Sequence, residues 1–124
     1  MSLNILVVDD SAVMRAIVKK TLRLSGVAIE QVYEAGNGLD ALRLLDREPI
    51  DLVLLDINMP VMTGEEFVNR VRADPARAEL PVLIVSAESS EARIQSLHDK
   101  GAAFVHKPFT PEGLREALLE LLEA

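Results

Sequence analysis

Four short, continuous runs of apolar residues constrain the fold of this chain more than any other feature of its sequence. Each run is short and rich in aliphatic, often β-branched side chains, which is typical of strands that are buried on both faces. Such strands form a parallel sheet that helices cover on both sides. The runs are residues 5–8, 52–55, 82–85 and the weaker 102–105.

A fifth strand and five helices complete the predicted pattern. Residues 28–33 form a mixed apolar stretch, interrupted by Glu30 and Gln31, which predicts an edge strand. Helical spacing follows each strand; the first helix carries two apolar stripes, and Thr110 and Pro111 give the last helix a capping hydroxyl and a first-turn proline. The alternation predicts an α/β fold, a three-layer doubly wound (βα)5 sandwich with right-handed crossovers. The two stripes of the first helix are Val13, Ile17, Leu24 and Met14, Val18, Leu22.

Composition excludes several classes of protein. The chain has 124 residues, which suits one domain, and its net charge of −7 argues against a nucleic-acid binder. The absence of cysteine excludes disulfides, thiolate zinc sites and thiol nucleophiles. No apolar run is long enough to span a bilayer and no signal peptide is visible, so we expect a cytoplasmic protein without membrane contact. Residues 1–3 are expected to be partly a cloning leader.

Polar residues follow four of the predicted strands. In an open α/β sheet, ligands bind at the carboxyl ends of the strands near the switch in strand order. Three carboxylates, a hydroxyl and an ammonium from distant parts of the chain are therefore expected in one crevice. These residues are Asp9 and Asp10 after the first strand, Asp56 after the third, Ser86 after the fourth, and Lys107 after the fifth.

The acidic residues also have a simpler interpretation as helix caps. Asp10 or Ser11 could cap the first helix, and each residue taken alone fits that role equally well. As a set they are harder to explain, because two like charges at ~4 Å repel by about 4 kcal/mol at an effective dielectric near 20. A bound cation would relieve that repulsion. Oxygen-only ligands without Cys or His favour a hard ion such as Mg²⁺.

Lys107 and Ser86 add the groups that a phosphoryl ligand requires. The lysine would act as a point charge on a phosphoryl oxygen, and the serine hydroxyl could donate a hydrogen bond to another. A carboxylate can itself be a nucleophile and form an acyl phosphate. The residues therefore suggest Mg²⁺-assisted phosphoryl transfer onto an aspartate.

In these segments the chain resembles a response-regulator receiver domain of the CheY-like kind. The resemblance is specific, because four separated motifs occur in the right order and cover the whole chain. It implies a flavodoxin-like sheet with the strand order 2-1-3-4-5. The motifs are LVVDDS at residues 6–11 followed by Met14 and Arg15, LLDINMPVMTG at 54–64, VSA at 85–87, and FVHKPF at 104–109.

The resemblance implies roles at the matching positions. Asp56 would be the phosphorylated residue, and Asp10, Asp56 and the backbone carbonyl of Asn58 would ligate Mg²⁺, which Mn²⁺ could replace. Asp9 would act on the metal largely through water. Lys107 would contact the phosphoryl group and pair with Asp56 in its absence.

The resemblance also implies a switch. Ser86 would move toward the phosphoryl oxygen, and Phe104 would turn inward into the space that is vacated. Asn58 and Glu88 would border the path of attacking water and tune the phosphoryl lifetime, with a role as solvated loop residues left equally open. The Lys107–Pro108 peptide would be cis on the same grounds.

The family further implies partners and a mode of action. The donor would be a sensor histidine kinase or a histidine phosphotransfer protein, and the downstream protein target is unknown. The output surface would be formed by the fourth helix, fifth strand and fifth helix. The chain would catalyse only its own phosphorylation and dephosphorylation, in a chemotaxis-type pathway or a phosphorelay.

Domain organisation and two rival functions complete the expectations. Residues 1–124 are expected to form one receiver without an output domain, with a receiver excised from a larger regulator, for example a DNA-binding one, as the alternative. A flavin-binding module would need a phosphate-cradling loop after the first strand, where Asp9 and Asp10 would repel a phosphate. An aspartyl-phosphate hydrolase would need a D-x-D pattern and a cap domain, and the chain has neither.

Overall fold

Strands and helices alternate along the whole described part of the chain. The structure, a computed structural model, describes residues 2–57, 59, 61–87, 90–107 and 109–123. A short 3-10 turn at Pro75–Arg77 precedes the fourth strand. The elements are β1 (Leu3–Val8), α1 (Ala12–Leu24), β2 (Ile29–Ala35), α2 (Gly38–Arg47), β3 (Leu52–Leu55), α3 (Gly64–Ala73), β4 (Val82–Ser86), α4 (Glu91–Asp99), β5 (Ala103–His106) and α5 (Pro111–Glu123).

The strands form one parallel sheet in the order β2-β1-β3-β4-β5. This confirms the predicted fold class and strand order. The mixed stretch at residues 28–33 is the edge strand β2, as predicted, although it extends two residues further to Ala35. The strand order reverses between β1 and β3, which places the crevice at the carboxyl ends of these two strands.

The core lies in two apolar layers, one on each face of the sheet. Alternate residues of β1 enter opposite layers, with Leu6 and Val8 in one and Ile5 and Val7 in the other. All four residues of β3 are likewise buried. Continuous apolar runs therefore mark strands covered on both faces, as the sequence predicted.

Helix ends and helix faces are set by local chemistry. The Ser11 hydroxyl accepts a hydrogen bond from Met14 N at 3.2 Å, and Thr110 Oγ1 accepts one from Gly113 N at 3.0 Å, which confirms the predicted cap of α5. Only one of the two apolar stripes of α1 is buried. Val18 and Leu22 belong to the core, whereas Val13, Ile17 and Leu24 are 71%, 47% and 64% exposed. Within the described residues, no helix has both the length and the apolar character that crossing a membrane requires.

Candidate functional site

Three carboxylates meet at the carboxyl ends of β1 and β3. Asp9 N donates to Ala35 O at 3.1 Å and Asp56 N donates to Val8 O at 3.0 Å, so the sheet pairing extends just far enough to bring both acids to the same edge. Ligand oxygens of Asp9, Asp10 and Asp56 all lie within 4.8 Å of one another. Asp9 is buried, Asp56 is half-buried and Asp10 is exposed. The structure thus brings together the acids that the sequence predicted to converge.

The Asp9 carboxylate is held on both of its oxygens. Ser11 N donates to Asp9 Oδ1 at 2.9 Å, while Lys107 Nζ lies 3.7 Å from Asp9 Oδ2. The Asp9 side chain is 6% exposed and the Lys107 side chain is 22% exposed, so the ion pair lies on the buried side of the crevice. The structure therefore places the ammonium of Lys107 beside the acids, in an ion pair with Asp9. The predicted pair between Lys107 and Asp56 stays a prediction.

The carboxyl ends of β4 and β5 bring the Ser86 hydroxyl and the Lys107 ammonium to this edge of the sheet. Ser86 ends β4 and is 2% exposed, and Ser86 O accepts a hydrogen bond from Lys107 N at 2.9 Å. Phe104, on β5, is half-buried against the core layer that α3 also contacts. Its ring centroid lies 4.7 Å from that of His106 with an interplanar angle of 59°. Ser86 thus lies at the end of β4, and Phe104 lies within the neighbouring strand β5.

Three of the sequence predictions lie outside the described residues. The carbonyl ligand predicted at Asn58, the tuning roles of Asn58 and Glu88, and the cis peptide before Pro108 all involve residues that the structure does not describe. These roles stay predictions.

The donor set fits a hard divalent cation. Three carboxylates supply oxygen atoms alone, and oxygen is the ligand atom that Mg²⁺ prefers. Lys107 brings a positive charge to the cluster, with its Nζ atom 3.7 Å from Asp9 Oδ2. A divalent ion would relieve the repulsion among the three carboxylates, and we expect Asp9, Asp10 and Asp56 to hold it.

The loop after Asp56 is tightly packed and locally strained. Gly64 N donates to Ile57 O at 2.9 Å, and a Cβ atom at Gly64 would lie only 2.8 Å from Ile57 Cα and 3.2 Å from Asp56 O. Val61 has φ = 70°, a left-handed conformation that is unfavourable for a β-branched residue. Backbone strain of this kind often accompanies functional loops.

An ion pair that the sequence did not reveal links α3 to α4 near the same edge. Arg93 Nε and Nη2 each donate to one oxygen of Glu65, both at 2.8 Å. Both side chains are 29% exposed. The hydrogen bond from Arg93 lowers the pKa of Glu65, against a smaller opposing effect of burial. Because bidentate pairs are geometrically specific, this contact fixes the start of α4 against the start of α3.

We expect Glu65→Gln to lower the free energy of unfolding by about 1 kcal/mol at pH 7. The pKa of Glu65 is lower in the folded chain than its ordinary value of 4.5, so the stabilisation is present above that value and is lost as the pH falls below it. Urea unfolding at pH 7 and at a pH below the folded pKa measures the difference. The exposed Glu30→Gln is the matched control. An equal effect of Glu65→Gln at both pH values would contradict the role of the ion pair.

A five-stranded 2-1-3-4-5 sheet with three acids and a lysine at its switch point defines a receiver. The family model for the response regulator receiver domain matches residues 5–119. The chain belongs to this family, and it is a receiver of the CheY type.

Individual relatives and solved structures agree with this assignment. The chain is 38% identical over 122 residues to the chemotaxis protein CheY homolog of Campylobacter jejuni, covering 97% of this chain and 92% of that protein. It is 40% identical over 118 residues to CheY1 of Helicobacter pylori, covering 94% of each. The structure of the chemotaxis response regulator CheY4 of Vibrio cholerae superimposes with a TM-score of 0.84 at 35% identity, covering 98% of this chain and 99% of that one. The family assignment favours a receiver over the flavin-binding and hydrolase alternatives.

Proposed function

We propose that Asp56 accepts a phosphoryl group from the phosphohistidine of a sensor histidine kinase or a histidine phosphotransfer protein. The observation that carries this proposal is the convergence of Asp9, Asp10 and Asp56 within 4.8 Å, with Lys107 beside them. Asp9, Asp10 and Asp56 would hold Mg²⁺, together with the carbonyl of Asn58. We place the exchange in the cytoplasm, where histidine kinases draw phosphoryl groups from ATP.

The half-buried Asp56 carboxylate is suited to act as the nucleophile. One of its oxygens attacks phosphorus, the P–N bond to the donor imidazole breaks, and the electron pair remains on the imidazole nitrogen. The product is an acyl phosphate on Asp56. Mg²⁺, when bound, neutralises charge on the phosphoryl oxygens. Lys107 would leave the 3.7 Å ion pair with Asp9 and bind a phosphoryl oxygen.

The switch would transmit this event to the surface formed by α4, β5 and α5. The Ser86 hydroxyl would donate to a phosphoryl oxygen, and the half-buried Phe104 ring would turn inward. Residues 90–115 carry four Lys and Arg against three Asp and Glu, and the rest of α5 adds three glutamates, so the surface has mixed charge with a small acidic excess. We therefore propose that it binds a mixed-charge protein partner, in a chemotaxis-type pathway or a phosphorelay.

Incubation with acetyl phosphate and Mg²⁺, followed by intact mass spectrometry, tests the proposal. We expect wild type to gain the mass of one phosphoryl group, and we expect EDTA or Asp56→Asn to abolish the gain. Asp40→Asn, which changes an exposed acid on α2, is the matched control and should be phosphorylated like wild type. Absence of uptake by folded wild type, or unchanged uptake by Asp56→Asn, would contradict the proposal.

A further inference from the structure

The guanidinium group of Arg15 binds the backbone of the acidic cluster. Its Nη1 donates to the carbonyl oxygen of Asp9 at 2.6 Å, and its side chain is only 20% exposed. Asp9 O belongs to the peptide group that joins Asp9 to Asp10. Because this peptide group sets ψ of Asp9 and φ of Asp10, its orientation helps to set the direction in which both side chains leave the backbone.

The Arg15 guanidinium is itself anchored by an edge-strand acid. Arg15 Nε donates to Glu34 Oε1 at 3.1 Å, and Lys19 Nζ donates to the other oxygen, Glu34 Oε2, at 2.9 Å. These contacts, with the hydrogen bond from Lys19 as the largest, lower the pKa of Glu34. Glu34 thus orients two cations of α1, of which only Arg15 also binds Asp9.

We infer that Arg15 is a positioning residue for the divalent-cation site, held in place by Glu34. This inference rests on the proposed function, in which Asp9 and Asp10 bind Mg²⁺. Groups that orient metal ligands commonly contribute 10- to 100-fold to metal affinity. The planar guanidinium suits this task, because it can bind a carboxylate and a carbonyl at once, which a lysine ammonium cannot do with the same geometry.

The sign of the effect separates positioning from simple charge. Removing a cation near an acidic cluster strengthens the attraction between that cluster and a metal ion. If Arg15 contributed charge alone, its removal would tighten metal binding. If Arg15 orients the Asp9–Asp10 peptide group, its removal weakens metal binding, even though the loss of its positive charge makes the electrostatic attraction for the metal ion stronger.

Titration with Mn²⁺ alone, followed by electron paramagnetic resonance of the free ion, measures the affinity directly. We expect Arg15→Met to raise the Kd for Mn²⁺ about tenfold. Arg15→Lys, which keeps the charge but not the planar geometry, should recover only part of the loss. Glu34→Gln should raise the Kd by a smaller factor, and less in the Arg15→Met background than in wild type, because an anchor acts only through Arg15 whereas the charge of Glu34 acts in both backgrounds. Lys19→Met is the matched control, because it removes the other cation bound to Glu34 and should leave the Kd unchanged or lower.

Circular dichroism and urea unfolding of each variant establish that it is folded before its Kd is compared with that of wild type. If Arg15→Met does not fold, Arg15→Lys still tests the inference, because it keeps the positive charge and changes only the geometry. An unchanged or lower Kd in the folded Arg15 variants would overturn it. Failure of folded wild type to bind Mn²⁺ would instead contradict the proposed function, so the two failures are distinguishable.

Discussion

Asp10→Asn should stabilise the folded chain and weaken Mg²⁺ binding at the same time. Asp10 is exposed, yet its carboxylate lies within 4.8 Å of ligand oxygens of Asp9 and Asp56. Removing one of three like charges should raise the free energy of unfolding without metal by about 1 kcal/mol, since solvent screens the exposed charge. The same change removes a ligand, so we expect at least a roughly tenfold loss of Mg²⁺ affinity.

Urea unfolding in EDTA and in saturating Mg²⁺ separates the two effects. In EDTA the variant should unfold at higher urea than wild type. In Mg²⁺ the difference in unfolding midpoint between variant and wild type should close or reverse. A ligand that binds only the folded state stabilises it by RT ln(1 + [L]/Kd), and wild type has the lower Kd. Asp99→Asn, at an exposed acid on α4, is the control and should shift neither curve. A variant that is less stable in EDTA and binds Mg²⁺ normally would indicate that Asp10 is only a structural residue.

Gly64→Ala should damage both stability and phosphorylation. The added Cβ would lie 2.8 Å from Ile57 Cα and 3.2 Å from Asp56 O, and these are backbone atoms that cannot move aside as a flexible side chain would. Overpacking of this kind costs about 1–3 kcal/mol. Because the displaced backbone carries Asp56, we expect the rate of phosphorylation by acetyl phosphate to fall about 10- to 100-fold.

The matched control for this prediction is Gly36→Ala. There the nearest atom to the new Cβ is Arg15 Nη1 at 3.7 Å, which is an ordinary contact. We expect the free energy of unfolding of this control to change by less than ~0.5 kcal/mol, as for most substitutions that create no clash. A Gly64→Ala protein with wild-type stability and phosphorylation rate would show that the loop tolerates the added methyl, which would contradict the close packing at Asp56.

The strands and the acidic cluster were predictable because both depend on short-range patterns. Continuous apolar runs fix strands that are buried on both faces, and residues directly after such strands must lie at one edge of a parallel sheet. Asp9 and Asp56 therefore had to meet once their strands were adjacent. The strand order that makes them adjacent came from the resemblance, because periodicity alone does not determine which strands pair.

The partners of the charged side chains were not predictable in the same way. Glu65 and Arg93 lie 28 residues apart on different helices, and their contact depends on how α3 and α4 pack. Arg15 was part of a recognised motif, but nothing in its spacing indicates a bond to Asp9 O. The two stripes of α1 likewise share the same helical spacing, and only tertiary packing decides that Val18 is buried while Val13 is exposed.

The position of Lys107 after β5 affects the order in which charges reach the site during folding. Chains are synthesised from the N-terminus, and the acids on β1 and β3 emerge before β5. Until β5 pairs with β4, no contact described here would bring the ammonium to Asp9, and the three acids would repel one another. A divalent cation that enters early would screen this repulsion in a partly formed sheet. Mg²⁺ should therefore stabilise the pairing of β1 with β3 before β5 docks, as well as stabilise the finished domain.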